Sequence, residues 1–138
     1  MEKLKITAEM IPAIEQAEVK CKDGSTMLVS KHIPYDSKEA MALELAMYTG
    51  VANEDAGIMY DSYKRELFQT ALAVKYYTNI DISDMTDEAA WKMLHDWLTM
   101  NDIYDELFSL IARDYSIVYT LYTDMRDASY RSYEAEHT

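Results

Sequence analysis

The sequence predicts a mainly α protein in which a small N-terminal β-hairpin precedes a four-helix array ending in a long C-terminal helix. Three observations lead there. The 138 residues contain only three Gly and two Pro, too few for the many turns of an all-β sandwich or barrel. The turn dipeptide Asp23-Gly24 lies between two short runs of strand-like residues, a strong local hairpin signal. From Asp102 to Glu134 the apolar, aromatic and charged residues each keep their own angular sector at about 100° per residue, as on one uninterrupted helix. Because 49% of the residues are hydrophobic, the chain can bury a real core despite its charge. The predicted organisation is one domain with an arm: residues 1–35 a hairpin segment, 36–113 a helical domain and 114–138 a C-terminal helical extension.

The elements follow in order. Leu4 and Ile6 alternate with lysines and could form a third strand. Thr7–Gln16 reads as a short helix or irregular link, since Pro12 fits a first helical turn but not a helix interior. Glu18–Lys22 alternates Val19 and Cys21 with charges, and Thr26–Ile33 returns with Met27, Leu28, Val29 and Ile33. After Pro34, Asp36 and Glu39 have the spacing of an acidic capping box, so a helix is expected to run to about Thr49 and stop at Gly50. Between Ala40 and Tyr48 its one polar residue is Glu44; a helix apolar nearly all round must be covered on more than one side, by its own domain or by a partner. Val51–Met59 contains Asn53, Glu54, Asp55 and Gly57 and reads as a loop. A second helix is expected over about Tyr60–Tyr77, with Tyr60, Tyr63, Leu67, Ala71 and Val74 on one face. A third, capped by Thr86, is expected to reach about Met100 with the stripe Ala90, Trp91, Leu94, Trp97 and Leu98.

The last helix opens at an Asn101 cap and would be roughly 50 Å long. Its aliphatic sector holds Ile103, Leu107, Leu110, Ile111, Ile117, Val118, Leu121 and Met125, and an adjacent sector holds Tyr104, Phe108, Tyr115, Tyr119, Tyr122, Tyr130 and Tyr133. Asp114 alone intrudes on the aliphatic sector, which predicts a kink, a paired carboxylate or the point where the helix leaves its core. If the aliphatic stripe satisfies the domain's own core, the tyrosine stripe is left for a neighbour. The chain has twelve Tyr and ten Met, residue types suited to interfaces because Tyr gives area at low entropic cost and Met adapts in shape. The predicted protein interface is therefore Tyr115, Tyr119, Tyr122, Tyr130 and Tyr133, with Met41 and Tyr48 from the first helix.

Charge narrows the partners. The formal net charge is −12; Met1–Tyr35 is neutral, Asp36–Thr78 contributes −3 and Asn79–Thr138 contributes −9. Acidity of this kind disfavours nucleic-acid backbones and anionic membranes, which need a basic face. The expected partners are therefore proteins, with no nucleic acid and no membrane. No basic-plus-apolar leader follows Met1, and no apolar run of about 18 residues is present, so a soluble protein is expected. The single cysteine, Cys21, allows no internal disulfide or multi-Cys zinc cage and fits a reducing compartment. On an alternating strand it is expected to pack as a small hydrophobe.

Candidate chemistry is incomplete wherever it is sought. Asn79, Asp81, Ser83 and Asp87 fall at the first ligand positions of a helix-loop-helix calcium site, but the turn Gly and the bidentate Glu are replaced by Asp84 and Ala90. His32, His95 and His137 have no helical metal-ligand spacing. There is no nucleophile elbow and no Gly-rich phosphate loop. No cofactor, metal site or enzymatic activity is expected.

The run Val29-Ser-Lys-His-Ile-Pro-Tyr-Asp-Ser-Lys38, followed by two helices and then Lys75-Tyr-Tyr-Thr-Asn-Ile-Asp81, resembles small uncharacterised proteins encoded among the structural genes of tailed bacteriophages of low-GC bacteria. Those look like K-x-I-P-Y-x-x-K … K-Y-Y-T-N-I-D. The resemblance spans about residues 29–81, supplies no catalytic or ligand residue and leaves out the tyrosine-bearing helix. It implies a non-enzymatic virion or virion-assembly protein, at the head-to-tail region, packing against other virion proteins and against itself as a homo-oligomer. Its place would be the virion, and the host bacterial cytoplasm during assembly. A reading from another class is an acidic inhibitor that imitates DNA to block a host nucleic-acid-binding enzyme. The charge of residues 79–138 motivates it, and Lys92, Arg113, Arg126 and Arg131, interleaved there, weaken it.

Overall fold

In the computed structural model the described residues are 2–53, 57–60 and 62–137, without the side chains of 51–53, 57–60, 63, 130 and 133–137. The chain is mainly helical, with an N-terminal antiparallel hairpin followed by four helices. Strands β1 (Gln16–Lys20) and β2 (Thr26–Ser30) pair in register Val19↔Met27 and Ala17↔Val29. Gly24 takes φ +91 in the turn, a conformation that costs a Cβ-bearing residue energy. Asp23 accepts the Ser25 N–H at 2.9 Å. Val19, Met27 and Val29 are fully buried, and Cys21 is buried beside them. No third strand forms at Leu4 and Ile6: residues 2–7 have no regular secondary structure and are exposed, followed by a 3-10 turn at Ala8–Met10. Alternation gives a segment the faces of a strand, but a strand also needs an edge to pair with, and β1 pairs with β2 alone.

Helix α1 (Tyr35–Thr49) starts one residue before the expected cap. Pro34 is its N-cap and makes no side-chain cap bond, so Asp36 serves the first turn through charge rather than through a capping box. The segment after α1 is not a simple loop. Strands β3 (Gly50–Asn53) and β4 (Gly57–Tyr60) pair antiparallel from Gly50↔Tyr60 to Asn53↔Gly57, and β4 lies against the last helix. Four-residue strands are too short to show a period against a cluster of turn residues, which is why the sequence hid them. The expected loop residues 54–56 lie outside the described residues.

Helix α2 (Ser62–Tyr77) ends where Thr78 bridges to Val29 of β2. Asn79 completes that junction: its N–H donates to Leu28 O at 3.1 Å and its Oδ1 accepts the Leu28 N–H at 2.9 Å. Helix α3 (Glu88–Met100) is capped by Asp87, whose side chain accepts the Ala90 N–H, one residue later than the expected Thr86. Asn101 does not open the last helix but closes α3. Asp102 follows at φ 56, its N–H donates to Thr99 O, and the Ile103 N–H donates to Leu98 O at 3.0 Å. This is a Schellman motif with Asp in the position usually given to Gly, and the buried pair Leu98 and Ile103 supplies its hydrophobic contact.

Helix α4 (Tyr104–His137) is 34 residues long, about 50 Å. Its buried seam is Leu107, Ile111, Asp114, Val118 and Tyr122, continuing the buried Ile103 just before its start. The sector turned inward is most of the predicted aliphatic arc, extended at one margin by Tyr122, which is 1% exposed, while Ile117 at the other margin is 42% exposed. Hairpin, α1, α2, α3 and α4 as far as Tyr122 share one core, and residue 114 marks no packing boundary. No helix among the described residues is long and apolar enough to cross a membrane.

Candidate functional site

Of the three readings that its misplaced phase left open, Asp114 follows that of a paired carboxylate. Its Oδ1 meets Lys38 Nζ at 3.0 Å and His32 Nδ1 at 2.7 Å. Its Oδ2 accepts the Tyr77 hydroxyl at 2.7 Å and the Ile33 N–H at 3.2 Å. Asp114, Lys38 and Tyr77 are buried, whereas the His32 side chain is 58% exposed. Burial by itself would raise the Asp114 pKa, but the bonds from Tyr77, Lys38, His32 and Ile33 outweigh it and hold the carboxyl below its ordinary value. Burial, with the neighbouring Asp114, pushes the Tyr77 phenol well above its ordinary pKa. The result is a satisfied ionic knot joining the β2–α1 connection, α1, α2 and α4.

This knot explains the two sequence runs at 29–38 and 75–81. Val29 pairs with Thr78, Leu28 with Asn79, and Ile33, Lys38 and Tyr77 close on one carboxylate. Both runs thus meet through the fold, without forming a cleft. His32 and Asp114 have the relation of a base and its orienting acid, and among the described residues no hydroxyl or thiol is hydrogen-bonded to the imidazole. The loop carboxylates are occupied as well: Asp81 accepts the Ser83 N–H, a bond that lowers its pKa, and Asp87 caps α3. Among the described residues no group of three or more His, Cys, Asp or Glu could hold a metal ion.

The predicted interface residues separate. Met41 is fully buried and Tyr122 is 1% exposed; both belong to the chain's own core and cannot meet a neighbour. Tyr115 is mostly buried, its hydroxyl makes no hydrogen bond, and burial raises its pKa; its ring continues the Tyr104–Phe108 edge of the core. Tyr119 stays at the surface, 36% exposed, with Arg65 stacked on its ring and donating to its hydroxyl at 3.2 Å. Tyr48 is 45% exposed. Tyr130 and Tyr133 lie outside the described side chains. The error for Tyr122 came from treating aliphatic and aromatic residues as separate faces when the core takes the aliphatic arc together with the tyrosine that borders it.

Tyr48 leads to a feature that no motif announced. Its ring stacks on Phe68 at 5.4 Å and meets the edge of Trp91 at 5.6 Å, while Phe68 and Trp91 pack at 4.5 Å. These rings line a cavity of about 430 Å³ between α1, α2, the 80–87 loop and the start of α3, rimmed by Glu44, Lys75 and Asp81. Glu44 Oε1 accepts from Lys75 Nζ at 2.8 Å, and its other oxygen is buried without a hydrogen-bond partner. The Tyr76 phenol nearby has its pKa raised by burial and then by the Glu44 charge. Outside the cavity, Leu43 and Met47 on α1 and Met93 and Met100 on α3 are exposed. So are Leu4, Ile6, Met10, Ile11 and Ile14 on the N-terminal segment. Only the all-round apolar character of α1 gave advance sign of such a surface.

No protein-family model, curated protein or solved structure matches the chain.

Proposed function

We propose that the protein is a non-enzymatic structural or assembly protein of a tailed bacteriophage that packs against other virion subunits. The observation that supports this most is the amount of apolar surface left outside a completed core: Leu4, Ile6 and Ile11 on the N-terminal segment, Leu43 and Met47 on α1, and Met93 and Met100 on α3. Exposed apolar side chains are ordinary one at a time, but groups of them on several elements are what subunit contacts use. The polar groups argue the same way, because the most elaborate cluster, around Asp114, is spent on joining elements of the fold. The resemblance at residues 29–38 and 75–81 supports a place among phage structural proteins, at the head-to-tail region and present in several copies. Mass spectrometry of purified particles, and of assembly intermediates from infected cells, tests the proposal. Detection in fixed stoichiometry with other virion proteins is the expected result; absence from both would overturn it.

A further inference from the structure

We propose that the cavity between α1, α2, the 80–87 loop and the start of α3 is a binding site for a small organic cation, an ammonium group carried on an aromatic body. Such a site stands apart from the subunit contacts proposed above. Its volume of about 430 Å³ lies in the range of pockets that take small molecules. The wall is preformed. Tyr48, Phe68 and Trp91 hold one another through ring contacts of 5.4, 5.6 and 4.5 Å. The Trp91 indole N–H donates to Met85 O at 2.9 Å, and the Met85 N–H donates to Ile82 O at 2.9 Å. These bonds tie the loop to α3 and leave Trp91 no donor for a ligand. What the rings offer is apolar area and π-electron surface, which attracts a cation and repels an anion.

The charges around the cavity set the sign of the ligand. Glu44, Lys75 and Asp81 line it. Lys75 Nζ donates to Glu44 Oε1 at 2.8 Å, so those two charges cancel, and the bond to Glu44 holds the Lys75 pKa above its ordinary value. Asp81 is left over. Its Oδ1 accepts the Ser83 N–H at 2.9 Å, and bonds from the Ser83 backbone and side chain hold its carboxyl below the ordinary pKa, ionised at neutral pH. Among the described residues no Lys, Arg or His pairs with it. An anion entering the cavity would meet this carboxylate and would have to draw Lys75 away from Glu44. A neutral molecule would gain the rings alone. A cation gains the rings and Asp81 together, so burial of its body supplies most of the affinity and Asp81 supplies the preference for positive charge.

Titration of the full chain with phenethylammonium, followed through the indole N–H resonances, is the test. The chain has two tryptophans. Trp97 does not line the cavity and donates its indole N–H to Asp23, so it serves as the internal reference. The Trp91 resonance is expected to shift saturably while that of Trp97 stays in place. Phenethyl alcohol and hydrocinnamate carry the same ring with a neutral or a negative end. Both should bind more weakly than the cation, the anion by about tenfold or more. Asp81→Asn keeps an acceptor for the Ser83 N–H and removes the charge. It should weaken the cation by about threefold, leave phenethyl alcohol unchanged and leave the circular dichroism spectrum unchanged. A Trp91 resonance unmoved by the cation up to about 20 mM overturns the proposal. Equal binding of cation and anion also overturns it, as does wild-type affinity of Asp81→Asn for the cation.

Discussion

Among the carboxylates of this protein that hold a lysine, Asp114 and Glu44 do opposite things with it. Asp114 accepts from four donors, and both it and Lys38 are almost fully buried. Glu44 meets Lys75 with one oxygen beside an open cavity, and the paired side chains are 26% and 46% exposed. In the low-dielectric interior a charge is tolerated only when its bonds are complete, and loss of a partner strands the other member. At a wet rim the same pair is screened and exchanges easily with water. The first arrangement therefore fixes the fold, and the second contributes little to it.

That contrast is broken most directly at Lys38. Lys38→Met removes the buried cation and leaves the Asp114 carboxylate to its three remaining donors, so equilibrium unfolding should show a loss of about 3–5 kcal/mol. A loss under about 1 kcal/mol would mean that Tyr77, His32 and the Ile33 N–H suffice alone. The same knot predicts acid sensitivity. Since the folded Asp114 pKa lies below its unfolded value, its contribution is complete above the unfolded pKa of about 3.9 and declines as pH falls through the lower folded pKa. The wild-type midpoint in urea should accordingly fall more steeply on acidification than that of Asp114→Asn.

The tyrosine helix sharpens the comparison at the next level. Tyr122→Ala opens a core cavity and should cost about 3–5 kcal/mol, whereas Tyr119→Ala, at the surface with Arg65, should cost about 1 kcal/mol or less. Similar losses at the two sites would mean that α4 is turned differently against the core. The smallest effect is expected at Asp102, which holds a left-handed conformation in the α3–α4 corner. Asp102→Gly should stabilise by about 0.5–1 kcal/mol, because the exposed ion pair to Lys22 that it gives up contributes little. Destabilisation there would assign the Lys22 pair a real role in seating the hairpin tip.

Much of this architecture was legible from residue pattern, for reasons that can be named. Asp23-Gly24 admits few structures other than a turn, Gly50 ends a helix whose start Pro34 marks, and one phase held over thirty residues or so leaves little but a long helix. Asp114 was visible as an anomaly because a charge inside an aliphatic stripe must be paired, although its partners, which are distant in sequence, were not. What the sequence concealed depended on tertiary choice. The rotation of α4 decided that Tyr122 would be core, and strands of four residues were too short to betray the second hairpin. The aromatic cavity assembles from α1, α2 and α3, so no local motif could announce it.

The buried Asp114–Lys38 pair holds the fold, and the rim pair Glu44–Lys75 does not. Urea unfolding of Asp114→Asn and Glu44→Gln, measured side by side with wild type at neutral pH, tests it. Asp114→Asn should lose about 3–5 kcal/mol and Glu44→Gln about 1 kcal/mol or less, with unchanged slopes. Equal losses, or a larger loss at Glu44, would contradict it.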